Sequence, residues 1–453
     1  MLLACRDRRP CALDGPILSE RSISAEHFQT ASKERYGQPN PSQGIEMNDK
    51  PTVLIASSDL AVAAKLEAIK ALHDLEGWGF VFLLEDYLGE AGAELKRPEN
   101  FIVSDFANAT EVAGALDRIA CNYKISTAIA FDEFSLYVAA SANDRWQLQG
   151  ITRKNAQRFR DKKKMKEIAQ RAGIKTAREI TLDEIKRAEI QFPLIIKPRS
   201  LAGSQGVQII STAEELSRID INFDPDYQDM SERQYLIEAY NPSSIYHIDC
   251  VVLEGTLAFI SVGEYLGKPI DFLQEKPVGT VSVPERMIED TWRQFTEGVI
   301  AAFEAPDGVY HIEAFAGAEL LEIAYRPGGA AIVEMIEMVY GLDLKHIHLA
   351  AQLGLAPSLD IQRKEEAFGY MTFPKKHLAT EPLYVTQTAF PPLENMPTLR
   401  TYAMPRAGDL ASGKFYCYKD SLGSFVFCGN RKLVLQDIDY LNKNYRVDVA
   451  AEQ

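Results

Sequence analysis

The sequence predicts a protein of mixed α/β and α+β class. A parallel α/β domain comes first, a central α+β region follows, and the chain closes with a β-rich subdomain. Three observations carry this. Strand and helix patterns alternate between residues 51 and 145, as in a doubly wound parallel sheet. Two later hairpins, within 192–210 and 308–329, turn about small-residue loops and carry charged residues in otherwise apolar strands. The last hundred residues are interrupted by Pro and hold short β runs. At 453 residues, 46% of them hydrophobic and 25% charged, the chain has room for two or three domains with ample core.

The N-terminal elements follow in order. "PTVLIAS" (51–57) reads as a strand and "LAVAAKLEAIKALHDL" (60–75) as a helix by its spacing. "GFVFLLEDY" (79–87) and "NFIVSD" (100–105) are further strands, "TEVAGALDRIAC" (110–121) a helix, and "STAIAFDEF" (126–134) a fourth strand. Together they predict a domain over 48–150. Asp132 and Glu133 fall at a strand's carboxyl end, where open α/β sheets place ligands; a solvated acidic turn is an equally good reading. Residues 1–47 are polar and without lasting periodicity, and are expected to form a disordered leader. Charge, not an apolar segment, follows "MLLAC", so the leader is neither a secretory nor a twin-arginine signal. Met47, just ahead of the first strand, is an alternative start.

Residues 151–358 form the expected central domain, with a smaller part over about 155–240 and a larger one over about 241–358. It opens on a basic helical stretch (153–174), which by itself reads as a solvated face. "FPLIIKPRSLAGSQGVQII" (192–210) is a hairpin whose loop amides are free to wrap an anion. It is neither a Walker A loop nor a dinucleotide fingerprint. "RQYLIEAYNPSSIYHIDCVVLEGTLAFISVGEY" (233–265) is a strand followed by a hairpin turning at Glu254-Gly255, and a helix is expected at about 286–304. In "VYHIEAF" and "ELLEIAY", Glu313 and Glu322 fall on one face of neighbouring strands, close enough to share a cation. Residues 359–453 form the C-terminal subdomain, with β runs at "GKFYCYKD" and "GSFVFCG".

Composition excludes several function classes. A net charge of −15, from 64 acidic and 49 basic residues, disfavours nucleic-acid binding, which needs clustered Lys and Arg. Six scattered cysteines form no C-x-x-C pair, against a zinc site or disulfide framework and in keeping with a reduced cytoplasm. Apolar runs fall far short of a membrane span.

The order of these pieces resembles the ATP-grasp superfamily, and within it the carboxylate–amine ligases, including the L-amino acid (dipeptide) ligases. The likeness covers about residues 50–360. It rests on "FDEFSLYVAA…ITRKNAQRFRDKKKMKEIAQRAGI", "FPLIIKP…GSQGV", an apolar strand ending in Glu, and the hairpin closing on "LLEIAYRPGG". The resemblance implies an ATP-grasp fold that uses ATP and Mg²⁺, with Mn²⁺ as a substitute. Lys162 and Lys197 approach the phosphates, and the loop Gly203-Ser204-Gln205-Gly206 closes over them. Glu238, with the backbone of Ala239, Tyr240 and Asn241, forms the adenine hinge, and His247 takes the ribose-contacting position. Glu313 and Glu322 hold the metal. Arg326 meets the carboxylate substrate and the transferring phosphoryl group, with Gly328 and Gly329 letting the backbone come close. Lys276 matches a further phosphate-contacting lysine. A homodimer acting on small carboxylate and amino acid substrates in the cytoplasm is implied as well.

The residue types suit this chemistry. Phosphoryl transfer needs charge neutralisation and alignment more than covalent help. Lysine supplies point charge, and arginine a planar fork for a carboxylate or acyl phosphate. Mg²⁺ takes one or two carboxylates besides phosphate oxygens. One departure stands out: Ala324 lies two residues after Glu322, where the family commonly has a metal-binding Asn. Water can fill that position, or the chain is a non-catalytic nucleotide-binding regulator; activity is preferred because both lysines, both glutamates and the arginine remain. A biotin-carboxylase-like or purine-pathway enzyme of the same fold is the other alternative. Alone, Lys197 reads as a solvated strand end and His247 as structural, while His346 and His348 lie at the wrong helical spacing to share a metal.

Overall fold

The computed structural model describes residues 2–5 and 50–451, apart from 64, 67–74, 76, 88, 90, 188, 220–234, 363–365 and 414–420. The N-terminal sheet runs in the order Asn100–Val103, Gly79–Glu85, Thr52–Ser57, Ile125–Ala130, with every pairing parallel. Helices cover both faces of a parallel sheet, so its strands read as continuous apolar runs; Val53 to Ala56 are all buried to 0% exposure. The helix expected at 110–121 is Ala109–Asn122, capped by the Asn108 side chain. Most of the helix expected at 60–75 lies outside the described residues.

A nine-stranded sheet, antiparallel throughout, dominates the rest. Its order is Leu2–Cys5, Leu399–Met404, Ser421–Gly429, Ala367–Pro374, Val278–Ser282, Thr256–Leu266, Ile245–Leu253, Gly308–Phe315, Glu319–Ala324. Strands from the expected C-terminal subdomain therefore extend the same sheet that carries the Glu313 hairpin. Among the described strands of that region, only Leu383–Ala389 and Arg446–Ala451 pair apart from it. Four residues of the stretch expected to lack structure, Leu2–Cys5, form its edge strand, because the exposed ladder of Leu399–Met404 offers free partners. The remainder of that leader, and the β run expected at 413–420 from 414 onward, lie outside the described residues.

A separate three-stranded sheet, Gln208–Ile210, Leu194–Pro198, Tyr235–Ala239, packs on a core of its own that includes Ile180, Leu194, Ile196 and Ile237. The basic stretch is not one helix. It breaks into Arg153–Ala156, a 3₁₀ turn at Gln157–Phe159, and Lys162–Arg171. Asp161 caps the last of these by accepting from the amides of Lys163 and Lys164, which places Lys162 in the first turn. The helix expected at 286–304 spans 285–302 with a π-helical turn at Ile288–Trp292. Among the described residues no helix is long and apolar enough to cross a membrane.

One buried contact ties the N-terminal sheet to the large one. His348 Nδ1 accepts from the Val309 amide at 3.1 Å, and its Nε2 donates to the Ala130 carbonyl at 3.1 Å. The ring is fully buried, and burial pulls its pKa down to about 4, so it serves as a neutral bridge.

Candidate active site

A cleft of about 580 Å³ opens where the three sheets meet. The carboxyl ends of the parallel strands bring Ser57, Asp132 and Glu133 to it, the three-stranded sheet brings Lys197 and Glu238, and the large hairpin brings Glu313, Glu322 and Arg326. Asp132 is a local tie rather than a free carboxylate. It accepts from Ser57 Oγ at 2.9 Å and from the Ser58 amide at 2.7 Å, linking two strand ends.

The lysines are buried and paired. Lys162 Nζ donates to the Leu201 carbonyl at 2.7 Å and lies 3.2 Å from Glu322 Oε2. Lys197 Nζ is 2.9 Å from Glu238 Oε2, while Lys166 Nζ is 2.8 Å from Glu238 Oε1. Burial works against the Glu238 charge, but the two ammonium groups hold its pKa below the usual carboxylate range. Two lysines around one carboxylate leave a net positive charge, and of the three, Lys197 and Glu238 line the cleft, a setting suited to a polyphosphate. The loop beside them turns through positive φ at Gly203, Ser204 and Gly206. At Gly206 a Cβ would also lie 2.7 Å from Pro198 Cγ, so glycine is required there.

Glu313 and Glu322 are direct partners across the hairpin, and both line the cleft. Tyr265 OH donates to Glu313 Oε1 at 2.9 Å. Burial raises the Glu322 pKa, with Lys162 opposing and repulsion from Glu133 and Glu313 adding to the rise. Arg326 is held by Glu133, whose Oε2 is 3.0 Å from Nη2, and Arg160 Nη1 is 2.7 Å from the other oxygen, Oε1. Burial alone would protonate Glu133, but the two guanidinium groups keep it ionised.

Three expected site residues fall off the cleft wall. His247 is 1% exposed, with Nδ1 2.7 Å from Asp249 Oδ2 and Nε2 2.8 Å from Thr280 Oγ1. Both ring nitrogens are engaged inside the sheet, so the ribose-contacting place is not one it can take from here. Lys276 is mostly exposed, bonds Gln274 Oε1 at 2.8 Å and does not line the cleft. Gly206 turns the loop through positive φ but does not itself line the cleft. The other expected residues, including Gly203, Ser204, Gln205, Ala239, Tyr240, Asn241, Gly328 and Gly329, line the cleft together.

The structure adds residues that sequence reasoning passed over. Lys268 Nζ reaches Tyr240 OH at 2.8 Å and the Asn241 carbonyl at 3.2 Å, bracing the expected hinge. Lys166 had only a basic run as its signal. His311 lines the cleft; its signal was the two-residue spacing to Glu313, which puts both on one face of a strand. The ligand atoms of His247, Asp249 and His311 lie within 4.8 Å of one another. Yet Asp249 uses one oxygen for each ring, at 2.7 and 2.9 Å, so the three are bonded to each other rather than arranged as a cage.

The cleft's donors fit a divalent cation. Two carboxylates face each other, and Glu322, whose pKa is raised first by burial, is also repelled by Glu133 and Glu313. A cation between Glu313 and Glu322 relieves that repulsion, and the hard oxygen donors suit Mg²⁺.

Residues 190–334 match the model of the ATP-grasp domain family. The alanine–anticapsin ligase of Bacillus subtilis (strain 168) is 27% identical over 337 residues, 65% of this chain and 65% of that protein. The chain thus spans about 65% of the length of the curated relatives it matches. Among solved structures, the L-amino acid ligase from Bacillus licheniformis superposes with a TM-score of 0.68 at 14% identity, over 90% of this chain and all of that one. Phosphoribosylglycinamide synthetase from Anaerococcus prevotii gives 0.57 at 16% identity, over 88% and 100%. This chain has the ATP-grasp fold, and the segment that matches the ATP-grasp domain family, residues 190–334, supplies Lys197, Glu238, Glu313, Glu322 and Arg326 to the cleft.

Proposed function

We propose that this chain is an ATP-dependent ligase that joins a carboxylate to an amino acid amine, forming an amide and releasing ADP and phosphate. The observation that carries it is the convergence of Lys162, Lys197 and Arg326 on the cleft wall that holds the paired Glu313 and Glu322. Similarity to alanine–anticapsin ligases and to an L-amino acid ligase fold supports amino acids as substrates and a peptide bond as the product.

A carboxylate is a poor electrophile, and activation begins when its oxygen attacks the terminal phosphorus of ATP and ADP leaves. The amine nitrogen then attacks the acyl carbon, loses a proton, and inorganic phosphate departs. Lys162 and Lys197 neutralise phosphate charge, and Arg326, fixed by Glu133, presents its fork to the carboxylate and to the transferring group. Glu313 and Glu322 would hold the divalent cation, which supplies charge neutralisation and alignment of phosphate oxygens. Gly203 to Gly206 form the loop that closes over the phosphates and keeps water from the acyl phosphate. Mn²⁺ as a substitute for Mg²⁺, a homodimer, and action in the cytoplasm belong to the same reading.

Phosphate release from ATP and Mg²⁺ against pairwise mixtures of the twenty amino acids, with mass spectrometry of the products, tests it. Release that needs a particular pair and yields the condensed mass establishes the ligase. Silence with every pair, but turnover with bicarbonate or a purine precursor, would overturn the amino acid reading. Tight ATP binding without turnover under any mixture would point to a nucleotide-binding regulator.

A further inference from the structure

We propose that His311 supplies the third protein ligand to the divalent cation, in the role that Ala324 cannot fill. The inference rests on the nucleotide-binding reading of the cleft.

Strand register is the first argument. Glu313 pairs directly with Glu322, and His311 pairs directly with Ala324. Opposed residues in an antiparallel pair share a face, as do residues two apart on one strand. His311, Glu313, Glu322 and Ala324 therefore form one patch, and all four line the cleft. A side chain at 311 stands beside the very position where a carboxamide at 324 would reach a cation, with Cβ atoms about 5 Å apart.

Ring orientation is the second. His311 Nδ1 is 2.9 Å from Asp249 Oδ1, and Asp249 is fully buried. A carboxylate accepts, so Nδ1 carries the proton and Nε2 is the nitrogen turned to Glu313, 3.7 Å from its Oε1. That separation is too long for a hydrogen bond, and of the size spanned by two neighbouring ligands of one ion. A carboxylate behind a histidine whose other nitrogen faces the metal is a recurring arrangement, because it sets the tautomer and the ring angle. His247 cannot compete, since Thr280 occupies its outer nitrogen. A metal at Nε2 takes the place a proton would otherwise occupy.

An imidazole among carboxylates also shifts metal preference. Mg²⁺ favours oxygen donors, whereas Mn²⁺ accepts nitrogen more readily. The chain should therefore bind Mn²⁺ more tightly relative to Mg²⁺ than a variant lacking the ring.

The test is pulsed electron paramagnetic resonance of Mn²⁺ bound to tag-free protein with β,γ-imido-ATP, on protein carrying ¹⁵N-histidine. Nitrogen modulation from a directly bound imidazole is expected, and it should vanish in His311→Phe. Mn²⁺ affinity in that variant should fall about tenfold or more, and adding Ala324→Asn to it should restore much of the loss. Bound Mn²⁺ without histidine modulation in the parent protein would overturn the assignment while leaving the nucleotide reading intact, and needs no variant to fold. Failure of nucleotide and Mn²⁺ to bind at all would overturn both.

Discussion

Glu133 and Arg326 stand 193 positions apart and meet in the cleft, with Nη2 of the arginine 3.0 Å from Oε2 of the glutamate. Glu133 lies just beyond a strand of the N-terminal parallel sheet and Arg326 at the end of the large hairpin, so this pair joins the two sheets at the cleft wall. With Arg160 on its other oxygen, Glu133 balances two buried guanidinium groups. Removing its charge leaves both uncompensated. Glu133→Gln should cost roughly 3–5 kcal/mol of stability, read as a lower urea midpoint at unchanged slope. A loss under 1 kcal/mol would mean the two arginines find water instead.

Arg326→Lys keeps the charge and discards the planar fork. Turnover in the phosphate-release assay should fall on the order of 10²- to 10³-fold, with stability affected less than by Glu133→Gln. Near-normal turnover would remove Arg326 from the reacting centre.

The two glycines of "RPGG" differ in what surrounds them. A Cβ at Gly328 would lie 2.4 Å from Asp249 Oδ1 and 2.7 Å from Ile332 Cγ2, whereas one at Gly329 meets nothing within 4 Å. Gly328→Ala should lower stability by about 1–3 kcal/mol and displace the Arg326 turn. Gly329→Ala should stay within about 0.5 kcal/mol of the parent. Equal effects in thermal melts would contradict the close approach to Asp249.

His348 predicts a pH dependence. Its folded pKa of about 4 lies below the ordinary 6.5, so the unfolded chain binds the proton more readily. Its contribution is fully present above pH 6.5 and is lost as pH falls toward 4, on the order of 3 kcal/mol in all. Denaturant midpoints between pH 7.5 and 4.5 should drop more steeply in the parent than in His348→Asn, which starts lower but lacks this titration. Parallel slopes would show that other groups dominate.

Lys166→Met would leave Glu238 paired with Lys197 alone and pin that lysine away from the phosphates. A raised KM for ATP with kcat nearly unchanged is expected, and Lys166→Arg should recover it. A fall in kcat alone would assign Lys166 a different part.

Much of this was legible in the chain itself. Strand–helix alternation specified the parallel sheet, because a crossover between parallel strands needs a helix. The spacing of "HIEAF" and "LLEIAYRPGG" put Glu313 opposite Glu322, since strand period and a short turn together determine register. Local order therefore marked the lysines, the glycine loop and the hairpin carboxylates. Contacts between distant segments were decided only by tertiary structure. Whether Glu133 was a solvated turn or a buried counter-ion depended on Arg160 and Arg326 arriving beside it. Whether His247 faced the cleft depended on Thr280 and Asp249 occupying its nitrogens, and the C-terminal strands joined the large sheet because Val278–Ser282 offered them an open ladder. A side chain's charge state and exposure belong to its neighbours in space, and those neighbours lie tens to hundreds of residues away.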